Sequence, residues 1–90
     1  MITRFRVRDV DGFRGRVDAT LAVLGAKVGF ESADLEQNLD EPDLWVLVTR
    51  WRDVGSYRRA LQGFESRTVV VPLLSEAVDE PSAYEVPELH

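Results

Sequence analysis

Side chains that could do chemistry are few in this chain, and most familiar catalytic groupings are missing. It contains no cysteine, so disulfides, thiolate metal sites and Cys nucleophiles are excluded. The single histidine is the last residue, His90, which leaves no basis for a Ser–His relay or a His-ligated metal. Acidic side chains gather at Asp40, Glu41 and Asp43, and again at Asp79 and Glu80. Each group flanks a proline, so solvated turn chemistry accounts for it better than a metal site does. No Gly-rich phosphate loop occurs, and Gly12-Phe13-Arg14-Gly15 is too short a pattern to count as one. The remaining chemistry is aromatic. Trp51 ends one apolar run, Tyr57 comes six residues later, and Arg67 lies further on. A slot lined by these groups suits a planar apolar molecule with one or two oxygen substituents. Trp45, Leu47 and Thr49, which share a strand face with Trp51, and Phe64 on the next helix complete the candidate lining. The competing reading is that the two tryptophans are simply core, since aromatic rings supply much of the burial in a small domain.

The elements that would position these groups are set by hydrophobic period. Residues 44–52 (Leu-Trp-Val-Leu-Val-Thr-Arg-Trp-Arg) are rich in β-branched and aromatic types, which predicts a strand. Alternation sends Trp45, Leu47, Thr49 and Trp51 to one face and Leu44, Val46, Val48 and Arg50 to the other. Both faces are largely apolar, so this strand should be central and covered twice. Asp53 then provides an N-cap for a helix whose stripe is Tyr57, Leu61 and Phe64.

Residues 2–10 also alternate, with Thr3, Phe5 and Val7 opposed to Ile2, Arg4, Arg6 and Arg8, and predict a half-buried strand. Asp11 is the expected cap of a helix carrying Phe13, Val17, Leu21, Leu24 and Val28 at spacings of three and four. Gly25 and Gly29 are its stop signals. Residues 30–39 read as an edge strand guarded by acidic side chains, and 40–43 as a turn. Residues 64–78 favour helix, broken near Pro72. A last short strand is expected at 83–86, and after it a loose tail at 87–90.

Ninety residues with 44% apolar and 30% charged side chains describe one globular domain spanning the whole chain. A net charge of −5 argues against nucleic acid as a partner. The start lacks the apolar run of a signal peptide, and no stretch reaches the roughly 20 apolar residues of a membrane span. The expected location is therefore the cytoplasm.

The element order is β-α-β-β-α-β, the ferredoxin-like pattern of an antiparallel four-stranded sheet. Helices cover one face of such a sheet. The other face, carrying Val46 and Val48, needs a partner, and a second copy packed face to face provides one.

The run from Leu44 to Asp53, with Tyr57-Arg58 after it, resembles the antibiotic biosynthesis monooxygenase family. Val28-Gly29-Phe30 after a helix and the stretch from Pro81 to Val86 are similar as well. The resemblance implies a dimeric α+β barrel. It also implies, for one branch, oxidation of aromatic quinols or phenols by O2 without metal or flavin, so that no cofactor is expected. That branch carries an Asn four residues before the strand-ending Trp and a helix Arg. Trp51 matches the Trp and Arg67 falls near the Arg, whereas Leu47 stands where the Asn would be. In a haem-degrading branch the corresponding His and Trp positions hold Val70 and Ala60, so haem is not expected. A non-catalytic dimeric binding or structural module of the same fold stays as the alternative.

Overall fold

A computed structural model describes residues 1–87; the tail expected at 87–90 lies, from residue 88 to His90, outside the described residues. The chain runs β1 (Ile2–Arg6), α1 (Val10–Gly25), β2 (Phe30–Gln37), β3 (Leu44–Trp51) and α2 (Val54–Ala60). A π-helical turn (Ser66–Val70) then leads directly into a short helix, α3 (Val71–Leu74). No helix among the described residues is long and apolar enough to cross a membrane.

β3 is the middle strand of a three-stranded sheet, ordered β1-β3-β2 and antiparallel to both neighbours. This is the ferredoxin-like arrangement, with β1 and β2 joined through α1 and β3 inserted between them. Its register places Thr3 and Phe5 beside Leu47 and Trp45 on one flank, and Leu35 and Gln37 beside the same two residues on the other. The helices pack on that face. Phe5, Val7, Phe13, Val17, Trp45, Leu47 and Leu73 form the main core, with Phe13 centred 5.2 Å from Phe5 and 6.0 Å from Trp45. A second cluster holds Leu24, Ala60 and Val70, with Phe30, Trp51 and Leu61 packed against it. Leu74 touches both clusters and joins them.

Several local expectations need correction. β1 ends at Arg6, and the cap of α1 is Asp9, whose carboxylate accepts from the Gly12 amide at 3.1 Å. Asp11 sits inside the first turn instead, where its charge suits the helix dipole. α1 stops at Gly25, so Val28 falls beyond the helical stripe and is 75% exposed. α2 stops at Ala60. Gly63 then adopts φ +95°, which only glycine takes without strain, and the turn leaves Phe64 79% exposed rather than in a buried stripe. Helix beyond residue 64 is present, and as expected it is interrupted near Pro72: the π-helical turn ends at Val70 and α3 restarts at Val71. Pro72 lies in the first turn of α3, and having no N–H it leaves one bond to the preceding π-helical turn unmade, which is where the helix changes type.

The fourth strand expected at 83–86 does not form. Residues 78–82 run along the free edge of β1 instead, held by Val78 N–H donating to the Arg4 carbonyl (2.8 Å) and Ile2 N–H donating to the Ser82 carbonyl (2.7 Å). Pro81 has no N–H to offer, so pairing cannot run on as a ladder. The Arg4 guanidinium grips Glu80 with two bonds of 2.6 Å and clamps this strap. The four-stranded sheet is thus three strands and a strap.

Leu47 has 0% exposure at the centre of the core, so Leu47→Ala should cost about 2–5 kcal/mol in chemical denaturation. Leu39→Ala, at a residue 97% exposed, should stay within about 0.5 kcal/mol. Arg4 holds the Glu80 carboxyl below its ordinary value, so this contact stabilises the folded chain above the unfolded-state pKa and is lost as pH falls through the folded one. Hydrogen-exchange protection of the Val78 amide should therefore drop on acidification, and in Glu80→Gln it should be low at neutral pH already.

Candidate functional site

The candidate site forms where β3 ends. Trp51 is half-buried, and its ring meets Phe30 edge-on at 5.2 Å and Tyr57 at 6.1 Å with a tilt of 56°. Three backbone features bring these rings together. A bulge between Phe30 and Ser32 in β2 places Phe30 opposite Trp51, on the helix side of the sheet. Asp53 caps α2 by accepting from the Ser56 amide at 2.7 Å, which fixes where Tyr57 emerges. Gly29, at φ +90°, lets the α1–β2 loop lie directly against Ser56, where any Cβ would collide with the serine side chain.

Polar chemistry at the cluster is sparse and well defined. The Trp51 indole N–H donates to Thr49 Oγ1 at 3.0 Å, which sets the ring's rotation about its side chain. Thr49 is itself buried. Burial pushes the Tyr57 phenol above its usual pKa, so it stays protonated at neutral pH and can donate a hydrogen bond. Beneath the cluster, Ser56 Oγ accepts from both Arg52 and Arg59 at 3.4 Å. Hydrogen bonding from Ser56 and the nearby Arg52 charge hold the Asp53 carboxyl below the ordinary range.

The other residues singled out from sequence separate into two places. Trp45 and Leu47 share the strand face of Trp51 but lie in the main core, covered by Phe13, Val17 and Leu73. Phe64 and Arg67 lie on the exposed side of the segment after α2, and the Arg67 Nε donates to the Gly63 carbonyl at 3.3 Å. Trp51, Thr49 and Tyr57 are therefore together, and Phe30 is the member that sequence reasoning assigned only to an edge strand. Two clefts of about 330 and 290 Å³ flank β1. Thr3, Leu74 and Ala77 line the first, and Phe5, Phe13 and Arg16 the second, so neither is lined by Trp51. Among the described residues, no group of three His, Cys, Asp or Glu side chains is placed to hold a metal ion.

Comparison with known proteins sets this geometry in a family. No curated protein matches the sequence. Among solved structures, SnoaB, a cofactor-independent oxygenase from Streptomyces nogalater, is similar, with a TM-score of 0.76 at 23% identity over 97% of this chain and 94% of that one. Rv0793 from Mycobacterium tuberculosis superposes with a TM-score of 0.69 at 22% identity over 99% of this chain and 95% of that one. A conserved protein from Methanosarcina mazei Go1 gives a TM-score of 0.72 at 20% identity over 91% and 82%. These likenesses establish the fold. The profile of the antibiotic biosynthesis monooxygenase family matches residues 2–70, which include every element from β1 to the π-helical turn, and the chain belongs to that family.

Proposed function

We propose that the chain is a cofactor-independent monooxygenase of an electron-rich aromatic metabolite, of quinol or phenol type. The observation that carries this reading is the half-buried Trp51, locked by Thr49 between Phe30 and Tyr57 at the open end of the sheet. A flat substrate stacks on such rings at little entropic cost to the protein, because the rings are already fixed. The protonated Tyr57 donates to a substrate oxygen, and Arg67 stabilises the phenolate by a charge-assisted hydrogen bond after leaving the Gly63 carbonyl. The substrate anion itself supplies the electrons that reduce O2. One oxygen atom becomes a new carbonyl at a ring carbon, the C–H there and the phenolic O–H together give up two hydrogens, and the second oxygen atom leaves with them as water. Family membership and the oxygenase among the structural relatives support the reaction class.

The working unit in this reading is a homodimer through the uncovered sheet face. Val46, Val48 and Ile2 form an apolar band there, with Arg4 and Arg6 along β1 and Asp34 and Glu36 along β2. A two-fold axis parallel to the strands lays the basic row of one copy over the acidic row of the other, which is the complementarity an isologous interface needs.

Titration with anthrone- and naphthol-type compounds under air, monitored by tryptophan fluorescence and product absorbance, tests the proposal. Saturable quenching with an oxidised product is expected, with turnover reduced at least tenfold in Trp51→Phe and in Arg67→Ala. Binding without turnover would instead make the chain a small-molecule-binding module, in keeping with the fully buried Leu47 where an Asn serves one branch of the family. Thr49→Val should leave the Trp51 N–H without its partner, costing about 1 kcal/mol of stability, shifting the Trp51 emission and weakening the quenching.

A further inference from the structure

The β2–β3 hairpin carries opposite charges at its two ends. β3 is eight residues long, so these ends lie roughly 25 Å apart. At the closed end, residues 38–43 present Asp40, Glu41 and Asp43 around Leu39, which projects almost entirely into solvent. This tip is built, not floppy: Asn38 Oδ1 accepts from the Asp40 and Glu41 amides at 2.9 and 2.8 Å, and Gln37 Nε2 donates to the Pro42 carbonyl at 2.7 Å. Arg6 offsets part of the acidity, reaching Glu41 and Asp43 at 3.3 Å.

At the open end, the loop from Lys27 to Gly29 lies between the start of α2 and the turn at Gly63. Gly29 abuts Ser56, onto which Arg52 and Arg59 converge, and a methyl placed on Gly63 would lie 4.0 Å from Lys27 Nζ. Arg67 folds back onto the same turn. Lys27, Arg52, Arg59 and Arg67 thus lie about this loop and turn, which also carry the exposed apolar side chains Val28 and Phe64; Asp53 pairs with Arg52 at 3.4 Å and with Arg59 at 4.0 Å, and Glu31 and Glu65 follow the loop and the turn in sequence. Four cations against three acids leave this end as a patch with one positive charge in excess beside its apolar anchors, on a chain whose net charge is −5. It matches, in charge and in having apolar anchors, the tip at the other end of the same hairpin.

We propose that this patch is a docking surface for the acidic hairpin tip of a second copy, in a head-to-tail contact separate from the uncovered sheet face. Leu39 of one copy seats against Phe64 and Val28 of the next, and the tip carboxylates meet Lys27, Arg52 and Arg59. Because patch and tip sit at opposite ends, one copy cannot satisfy both by itself. The contact is heterologous, so it builds a closed ring or a longer array of sheet-packed units. Exposed charges carry much of it, so it weakens as salt shortens the screening length.

Sedimentation velocity of the full chain, over a concentration series at about 20 mM and about 500 mM NaCl, tests the assignment. The expected result is a concentration-dependent species at low salt, larger than the unit that survives at high salt. Leu39→Asp and Phe64→Asp should each abolish the larger species while leaving the smaller unit and the circular dichroism unchanged. A tip-reversed variant (Asp40→Lys with Glu41→Lys) and a patch-reversed variant (Lys27→Glu with Arg59→Glu) should each fail to assemble alone and should assemble when mixed. A mass independent of salt and concentration, or a larger species indifferent to Leu39→Asp and Phe64→Asp, would overturn the proposal, as would failure of the mixed variants to assemble. Activity on aromatic substrates is not a readout here, so this outcome is independent of the proposed reaction.

Discussion

Everything in this fold depends on β3 being apolar on both faces. An apolar strand of this kind cannot lie at an edge, because one row of unpaired backbone groups and two apolar faces would all meet water. It must be flanked on both sides, and β1 and β2 are the two strands available. That requirement fixes the sheet order, with α1 as the bridge that carries the chain from one side of β3 to the other. The helix-side face of β3 then receives α1 and α3 through Trp45 and Leu47, while its last residue, Trp51, reaches past the main core to a second cluster. One strand thus provides both the centre of the core and the rim where a ligand can be held. The division between them falls at Thr49, buried like the core but hydrogen-bonded to the rim.

Much of this is legible in the sequence because strong local signals agree with the tertiary result. The β3 run, the Asp53 cap and the Phe13–Val17–Leu24 stripe each need only period and composition, and each lies where expected. The misplacements share a cause. Val28 and Phe64 continue apolar spacings past the points where α1 and α2 end, so periodicity alone counts them as buried. Backbone geometry overrides the pattern at Gly63, whose positive φ turns the chain before Phe64. The last strand departs from expectation for a different reason. The aromatic Tyr84 looks like strand material, but the residues that reach β1 are 78–82, anchored by Glu80, whose partner Arg4 is distant in sequence.

The candidate site shows the same division. Trp51 and Tyr57 are readable as neighbours because a capped helix begins immediately after the strand. Phe30 is not, because its place opposite Trp51 depends on a bulge that no composition signal marks. Trp45 and Leu47 illustrate the limit of face arguments: residues on one strand face share a direction but not an environment. Six and four residues back from Trp51, at about 3.3 Å per residue, they sit under a different helix.

The π-helical turn at Ser66–Val70 sets the angular phase of α3. Its fit is held at one end by the Ser66 hydroxyl, which donates to the Ala60 carbonyl at 2.5 Å, and at the other by the fully buried Val70. The Val71 amide reaches back five residues to the Ser66 carbonyl, one more than in an α-helix, so the turn holds one residue in excess, and removing it would restore ordinary α-helical bonding without rotating α3. A second deletion, at about 100° per residue, would rotate α3 and swing Leu73 out of the core. The segment therefore has slack for one residue and no more, and a relative that keeps this core one residue shorter here should show an unbroken α-helix in place of the π turn.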